Sequence, residues 1–95
     1  MSLEELVSKY IGSAGRVFCE MKIAKACANI DVLGVNKVVE LARAYLEDAK
    51  YYTDKRKFEV SLASVAYCEG LLDALRLLGV VKFEWPVKRK GKSEG

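Results

Sequence analysis

The stretch Ser61-Leu-Ala-Ser-Val-Ala-Tyr-Cys-Glu-Gly-Leu-Leu-Asp-Ala-Leu-Arg-Leu-Leu-Gly79 decides the fold of this 95-residue chain. Read as a helix, it is apolar on most sides and carries its few charges on one narrow stripe. Such a helix must be covered on several sides, by its own domain, by a partner, or by both. Glycine is typical just past a helix C terminus, so we predict a helix from about Arg56 to Leu78. Its predicted buried arc comprises Val60, Tyr67, Leu71, Ala74, Leu75 and Leu78.

Two more helices precede this one. Ser2 and Glu5 have the spacing of a capping box, and apolar residues then recur every three or four positions as far as Ala24. A second helix is predicted from about Val35 to Thr53, with apolar residues on one face and charges on the other. Asp54 is a candidate cap for the third helix.

The segment after Gly79 alternates apolar and polar residues, which predicts an extended arm with one apolar side. That side would carry Val81, Phe83, Trp85 and Val87. The fold class is therefore all-α: a three-helix up-down-up bundle with a left-handed twist and a short extended C-terminal arm.

Charge is distributed unevenly along the chain. Residues 1–81 hold equal numbers of basic and acidic side chains, so the net charge of +3 belongs to residues 82–95. We therefore predict a bundle domain over residues 1–81, followed by an extended arm and a basic flexible tail over residues 82–95. A neutral bundle does not present a broad basic face to nucleic acid.

Composition excludes several classes of protein. At 52% hydrophobic and 31% charged residues the chain is typical of a globular domain, and no apolar run reaches the roughly 18 residues of a membrane span. The acidic N-terminal residues do not resemble a signal peptide, so we expect a cytoplasmic protein that does not contact a membrane. The absence of glutamine and the many Lys and Glu residues lean towards a thermophile.

Catalytic and cofactor signatures are missing from the sequence. The chain has no histidine, which excludes His-based triads and HExxH zinc sites. Three cysteines without a CxxC pair indicate idle thiols in a reducing compartment rather than a metal site. No glycine-rich phosphate loop is present. We expect no enzyme activity, no cofactor and no metal.

Polar residues on the second and third helices form one candidate ligand site. If these helices are antiparallel neighbours, their tyrosines could lie at similar heights and face carboxylates. The functional interpretation is a small polar pocket for a nucleotide or metabolite, and the structural one is a set of hydrogen bonds between helices. The Glu and Asp spaced i,i+4 could also chelate a cation, or be neutralised by the following arginine. These candidates are Tyr45, Asp48, Tyr67, Glu69, Asp73 and Arg76.

The C-terminal tail is a candidate nucleic-acid site. It combines an aromatic side chain with a cationic run, as single-stranded nucleic-acid binders do, although a solubilising tail explains the same residues. The residues concerned are Trp85, Lys88, Arg89 and Lys90.

Apolar and small residues remain that a three-helix bundle cannot all bury. Contiguous apolar surface marks interfaces, and coverage by the C-terminal arm is the alternative. Gly70 lies beside Ala63 and Ala74 on the third helix, at the edge of the predicted buried arc, and this patch of small residues predicts close helix packing. The interface candidates are Gly12, Gly15, Cys19, Ile23, Leu62, Ala66 and Leu77.

One family shares the most distinctive residues. The pattern Ala42-x-x-Tyr45-x-x-Asp48-Ala49, followed by Ala63-x-x-x-Tyr67-Cys-Glu-Gly-Leu-Leu-Asp-Ala74 and Leu77-Leu78-Gly79, resembles a family of short archaeal proteins, the domain of unknown function family 357. The resemblance covers roughly residues 2–81. It implies a three-helix bundle in an archaeal cytoplasm, and related domains occur on nucleotidyltransferase-like enzymes, but it implies no reaction.

Together these observations lead to two functional hypotheses. The first is a non-enzymatic interaction module that forms a homodimer or docks onto another protein. The alternative is a small accessory domain that binds a nucleotide, a metabolite or a nucleic acid for a nucleotide-handling enzyme.

Overall fold

The computed structural model describes residues 1–23 and 31–86. Three long helices and two very short strands follow one another along the chain: α1 (Leu3–Glu20), β1 (Lys22–Ile23), α2 (Val32–Asp54), α3 (Phe58–Leu77) and β2 (Val81–Lys82). The predicted all-α bundle of three helices is confirmed.

Contacts between helix ends give the directions of the three helices. The Glu4 carboxylate at the start of α1 lies 3.5 Å from the Arg56 guanidinium after α2, while Phe18 near the end of α1 packs under Arg43 in the middle of α2. Helix α1 is therefore antiparallel to α2. Ser61 on α3 contacts Ala49 on α2, and Tyr67, later on α3, contacts Tyr45, earlier on α2. Helices α2 and α3 are therefore also antiparallel, and the order is up-down-up.

The predicted capping box begins α1. The Ser2 hydroxyl accepts from the Glu5 N–H at 3.1 Å, and the Glu5 carboxylate accepts from the Ser2 N–H at 3.0 Å. The helix ends at Glu20, earlier than the predicted limit at Ala24, because Met21 is extended. Lys22 and Ile23 then pair antiparallel with Lys82 and Val81, a contact that the helical periodicity did not indicate.

Both ends of α2 differ from the prediction. It begins at Val32, where the Asp31 carboxylate caps the helix by accepting from the Leu33 N–H at 3.1 Å. At the other end, Asp54 is the last residue of α2 rather than the cap of α3. The cap position of α3 belongs to Lys57, whose side chain makes no capping hydrogen bond. Arg56 adopts a φ of 60° and reverses the chain between the two helices.

The buried arc of α3 differs from the predicted one. The fully buried residues of this helix are Ser61, Val65, Cys68, Leu72 and Leu75. Of the predicted arc, Leu75 is fully buried and Leu71 is half-buried against the core. Val60, Tyr67 and Leu78 are exposed instead. The prediction failed because apolar residues occur on nearly every side of α3, and their periodicity therefore does not select one face. By contrast, α2 buries its predicted face through Val35, Val39, Ala42, Leu46 and Ala49.

Gly70 also differs from the prediction. It is exposed, and a methyl group added at its Cα would meet no described atom within 4 Å beyond its own stretch of helix. The hypothesis of close helix packing at Gly70 within the bundle is therefore wrong, and a larger residue would not overpack the core. Gly12 and Gly15 on α1 are equally open.

The C-terminal arm packs on the bundle as far as the structure describes it. Val80 and Val81 are buried, while Phe83 and Trp85 pack against the core from the side. Their rings meet edge to face at 5.2 Å between centroids. The predicted alternation of apolar and polar residues holds from Val81 to Trp85, and Val87 lies outside the described residues. The division of the chain at Val81 stays a prediction, and the arm beyond it contacts the core.

We expect a chain that ends after Val81 to have a free energy of unfolding about 2–4 kcal/mol lower than a chain that ends after Pro86, because it loses the Phe83 and Trp85 contacts. Urea unfolding followed by circular dichroism measures the difference. Equal denaturation midpoints for the two chains would show that the arm contributes nothing to the stability of the bundle.

Candidate functional site

The predicted ligand site does not form a single pocket. Tyr45 and Tyr67 do lie at the same height on α2 and α3, but they meet through their rings, with centroids 4.4 Å apart at an interplanar angle of 63°. Asp48 is exposed on α2. The two tyrosines therefore form an aromatic contact at the surface, where the Tyr67 side chain is 53% exposed.

The charged residues of α3 contact the C-terminal arm. The Trp85 indole N–H donates to Asp73 Oδ1 at 2.8 Å, and a guanidinium nitrogen of Arg76 lies 3.7 Å from the same oxygen. The Arg76 guanidinium also lies 5.7 Å from the centre of the Phe83 ring. Glu69 is half-buried one turn before Asp73. The structural interpretation accounts for Asp73 and Arg76, because both hold the arm on the bundle.

Metal binding gains no support from these carboxylates. Within residues 1–23 and 31–86, no three His, Cys, Asp or Glu side chains lie close enough together to hold a metal ion. The pair formed by Glu69 and Asp73 therefore lacks a third protein ligand among the described residues.

Trp85, a predicted stacking platform for bases, is held against the bundle. Its indole is half-buried, packs edge to face on Phe83 and donates its N–H to Asp73. These contacts cover part of the ring, and its role in stacking on a nucleic-acid base stays a prediction. The other predicted members, Lys88, Arg89 and Lys90, lie outside the described residues.

The predicted interface residues fall on two different helices. On the α1 side, Gly12, Cys19 and Ile23 are exposed and Gly15 is half-buried. On α3, Leu62 was placed wrongly, because it is half-buried and packs against the core. Ala66 and Leu77 are exposed as predicted.

The exposed side of α3 forms a continuous uncharged surface apart from one residue at its N-terminal end. Four of its residues are large and apolar: Val60 is 44% exposed, Tyr67 53%, Leu77 80% and Leu78 67%. The full set, called the α3 outer face below, is Glu59, Val60, Ala63, Ala66, Tyr67, Gly70, Ala74, Leu77 and Leu78.

Most residues of the α3 outer face were not predicted to be exposed. Val60, Tyr67, Ala74 and Leu78 were assigned to the core because the predicted arc of α3 was rotated about its axis. The exposed residues also recur every three or four positions, which indicates a second apolar stripe on α3. The sequence does not show which of the two stripes is buried.

Two surface clefts lie beside α1. One, of about 410 Å³, has Phe18, Met21 and Val39 in its apolar part and is also lined by Ile23, Asn36, Glu40 and Arg43. The Arg43 guanidinium lies 4.5 Å from the centre of the Phe18 ring. The other, of about 240 Å³, lies between α1 and the arm and is lined by Ser8, Lys9, Gly12, Ser13, Arg16 and Pro86. Among the described residues that line it are two cations and two hydroxyls and no carboxylate, a set that was not predicted from the sequence.

The cysteines differ in accessibility. Cys68 is fully buried in the core, whereas Cys19 is exposed. Burial, with a smaller contribution from the nearby Glu69 carboxylate, raises the pKa of the Cys68 thiol to about 12, against the opposing effect of the Arg43 guanidinium. Cys68 therefore stays a neutral thiol at physiological pH and cannot act as a nucleophile.

We expect native protein at pH 8 to be alkylated by iodoacetamide at Cys19 and to remain unmodified at Cys68, because only a thiolate reacts. Peptide mass mapping after a timed reaction reads both sites separately. The same reaction in 6 M guanidinium chloride provides the control, in which both residues should react. Rapid native modification of Cys68 would contradict the buried position of this residue.

None of the helices that the structure describes is long and apolar enough to span a membrane.

Comparison with known proteins gives one finding. No curated protein and no solved structure matches the chain. A family model described as a protein of unknown function, DUF357, matches residues 9–81, which is well over half of the chain and includes all of α2 and α3. The chain therefore belongs to the DUF357 family.

Proposed function

We propose that this protein is a non-enzymatic interaction module that binds another protein through the α3 outer face. One observation carries the proposal: of the nine residues of the α3 outer face, which are eight exposed residues of α3 and the C-cap Leu78, eight are uncharged and four are large and apolar. Exposed helix faces normally carry Lys, Arg and Glu, and a contiguous apolar patch on a small domain marks an interaction site.

Residues of α2 extend this surface. The Tyr45 ring packs against Tyr67, and Leu41, one turn earlier on α2, is 45% exposed. Tyrosine contributes large contact area at interfaces with few rotatable bonds. The contact with Tyr45 orders the Tyr67 ring in advance, which reduces the conformational entropy lost on binding.

The side chains most suited to chemistry have structural positions, which supports a non-enzymatic role. Asp73 and Arg76 hold the C-terminal arm, and Cys68 is buried with a raised pKa. The sequence offers no histidine as a general base.

The setting that fits this proposal is the cytoplasm of an archaeon. The resemblance to short archaeal proteins supports the source, and the Lys- and Glu-rich composition without glutamine supports a thermophilic one. Unpaired thiols such as Cys19 suit a reducing compartment.

Site-specific photo-crosslinking tests the proposal. A Leu77→Cys chain in a Cys19→Ser, Cys27→Ser background would carry benzophenone maleimide and be irradiated in an extract of cells that make the protein. We expect a discrete covalent protein adduct, because position 77 lies within the proposed contact. Unlabelled wild type should compete for the adduct, and unlabelled Leu77→Glu should compete at least tenfold less well.

The matched control carries the same label at Tyr51→Cys, because Tyr51 is an apolar residue of α2 with 55% exposure and lies off the α3 outer face. This chain should give no competable adduct. Equal labelling from positions 51 and 77, or equal competition by wild type and Leu77→Glu, would contradict the proposal.

We also propose, as a second candidate, an accessory domain that binds single-stranded nucleic acid at the cleft between α1 and the arm. The observation that favours it is the set of Lys9, Arg16 and two serines without a carboxylate, beside Pro86. In the sequence, four further cations follow Pro86 within six residues. Clustered cations attract phosphates in a salt-dependent way.

For this candidate we expect Arg16→Glu to weaken the binding of a fluorescein-labelled ten-residue oligothymidylate about tenfold at 50 mM salt, measured by fluorescence anisotropy. Lys50→Glu is the control, because Lys50 is an exposed cation on α2 far from the cleft in sequence. Equal losses in the two variants would indicate a non-specific charge effect and no site at the cleft.

A further inference from the structure

We propose that the occupant of the α3 outer face is a second copy of this chain, with the two α3 helices antiparallel about a twofold axis that passes between Tyr67 and Gly70. This inference rests on the proposed function and names its partner. It follows from the order of residue sizes along the face, from the open space at Gly70 and from the position of the single charge.

The spacing of the exposed residues suits a helix that packs along the length of another. Six members of the α3 outer face follow one another in alternating steps of three and four residues: Val60, Ala63, Tyr67, Gly70, Ala74 and Leu77. A repeat of 3.5 residues forms a straight seam between two helices that cross at about 20°. All six residues are exposed, so none of residues 1–23 and 31–86 covers this seam.

The side-chain sizes along this seam are complementary to those of a second copy that runs in the opposite direction. An antiparallel copy centred between Tyr67 and Gly70 places Val60 opposite Leu77, and Ala63 opposite Ala74. At the centre, each Tyr67 lies opposite the partner's glycine at position 70. A parallel copy would instead set Tyr67 against Tyr67 and leave a gap at paired glycines, which is poor packing.

Gly70 offers the space that this pairing needs. Apart from the backbone of its own helix and its chain neighbours, no described atom lies within 4 Å of the position that a Cβ would occupy there. The Tyr67 ring is already ordered by Tyr45, at 4.4 Å between centroids. In the antiparallel arrangement the Tyr67 ring of each copy therefore packs over Gly70 of the other copy, so this contact occurs twice.

The charge on the face also favours the antiparallel direction. Glu59 is the one charged member of the α3 outer face and lies at its N-terminal end. In a parallel pair the two Glu59 carboxylates would approach each other, which is unfavourable. In an antiparallel pair the two Glu59 carboxylates lie at opposite ends of the contact, so this repulsion is absent.

Disulfide crosslinking of purified protein tests the direction and the register together. The exposed alanines are replaced singly, as Ala63→Cys in a mass-tagged chain and Ala74→Cys in an untagged chain. Both chains carry Cys19→Ser and Cys27→Ser, and Cys68 remains because it is buried with a raised pKa. Oxidation of the mixture should give the mixed dimer, of about twice the 10.6 kDa of the chain plus the tag.

Each variant oxidised alone provides the matched control. Identical positions in the proposed dimer lie eleven residues apart along the axis, which is about 16 Å at 1.5 Å per residue. A disulfide requires Cα atoms within about 7 Å, so neither variant should crosslink to itself. Self-crosslinking of Ala63→Cys would indicate parallel helices and overturn the proposal.

A second variant tests the central pair without relying on chemistry. Gly70→Leu fills the space opposite Tyr67, and the monomer has room for it. Sedimentation velocity should show a dissociation constant at least tenfold higher than that of wild type. Gly12→Leu, at an equally open glycine of α1, is the control and should leave the dissociation constant unchanged.

The proposal is overturned if wild type stays monomeric up to several hundred micromolar, or if Gly70→Leu associates as tightly as wild type. Failure here is distinguishable from failure of the proposed function. A competable adduct at position 77 whose added mass differs from that of this chain, together with a monomeric purified protein, would support the interaction module and remove the second copy as its partner.

Discussion

The buried hydroxyl of Ser61 is the interaction on which the arrangement of α2 and α3 depends. It donates to the Ala49 carbonyl at 2.6 Å, and because it has a single proton, the Thr53 hydroxyl 2.8 Å away must donate to it. A fully buried polar group without partners would destabilise the bundle, so this pair of bonds fixes both the register of the two helices and the rotation of α3. Ser61, Cys68 and the residues beside them then face inward, and Val60, Tyr67 and Leu77 face outward.

A second constraint comes from the C-terminal arm. Asp73 accepts a hydrogen bond from Trp85, while Arg76 lies beside both Asp73 and the Phe83 ring. These contacts hold the arm against the flank of α3, next to the short pairing of β1 with β2. Asp73 and Arg76, which the sequence suggested as ligand-binding residues, therefore hold the C-terminal arm on the bundle. The flank of α3 becomes covered, whereas its outer face stays open.

The C-terminal arm covers one side of α3 and leaves the α3 outer face open. This open apolar face is the basis of the proposed interaction. The protein belongs to a family without an assigned function, so the argument depends on the surface itself. A helix of twenty residues with one exposed charge has an unusual surface for a small domain. The small residues at its centre allow another backbone to approach closely, and the large ones at its ends and at Tyr67 provide apolar area.

The sequence by itself determined the number of helices, the cap at Ser2, the apolar face of α2 and the membership of the family, because each depends on local spacing or on a distinctive pattern. It also located Ala66 and Leu77 on an exposed surface. Only the tertiary structure decided which side of α3 is buried. That helix is apolar nearly all round, so its rotation is set by the hydrogen bonds of Ser61 and by the fit of Val65, Cys68 and Leu72 between its neighbours. Trp85 is a second example. The cations that follow it in the sequence suggested a base-stacking role, whereas in the structure its N–H donates to Asp73, twelve positions earlier, and this hydrogen bond holds the arm on the bundle.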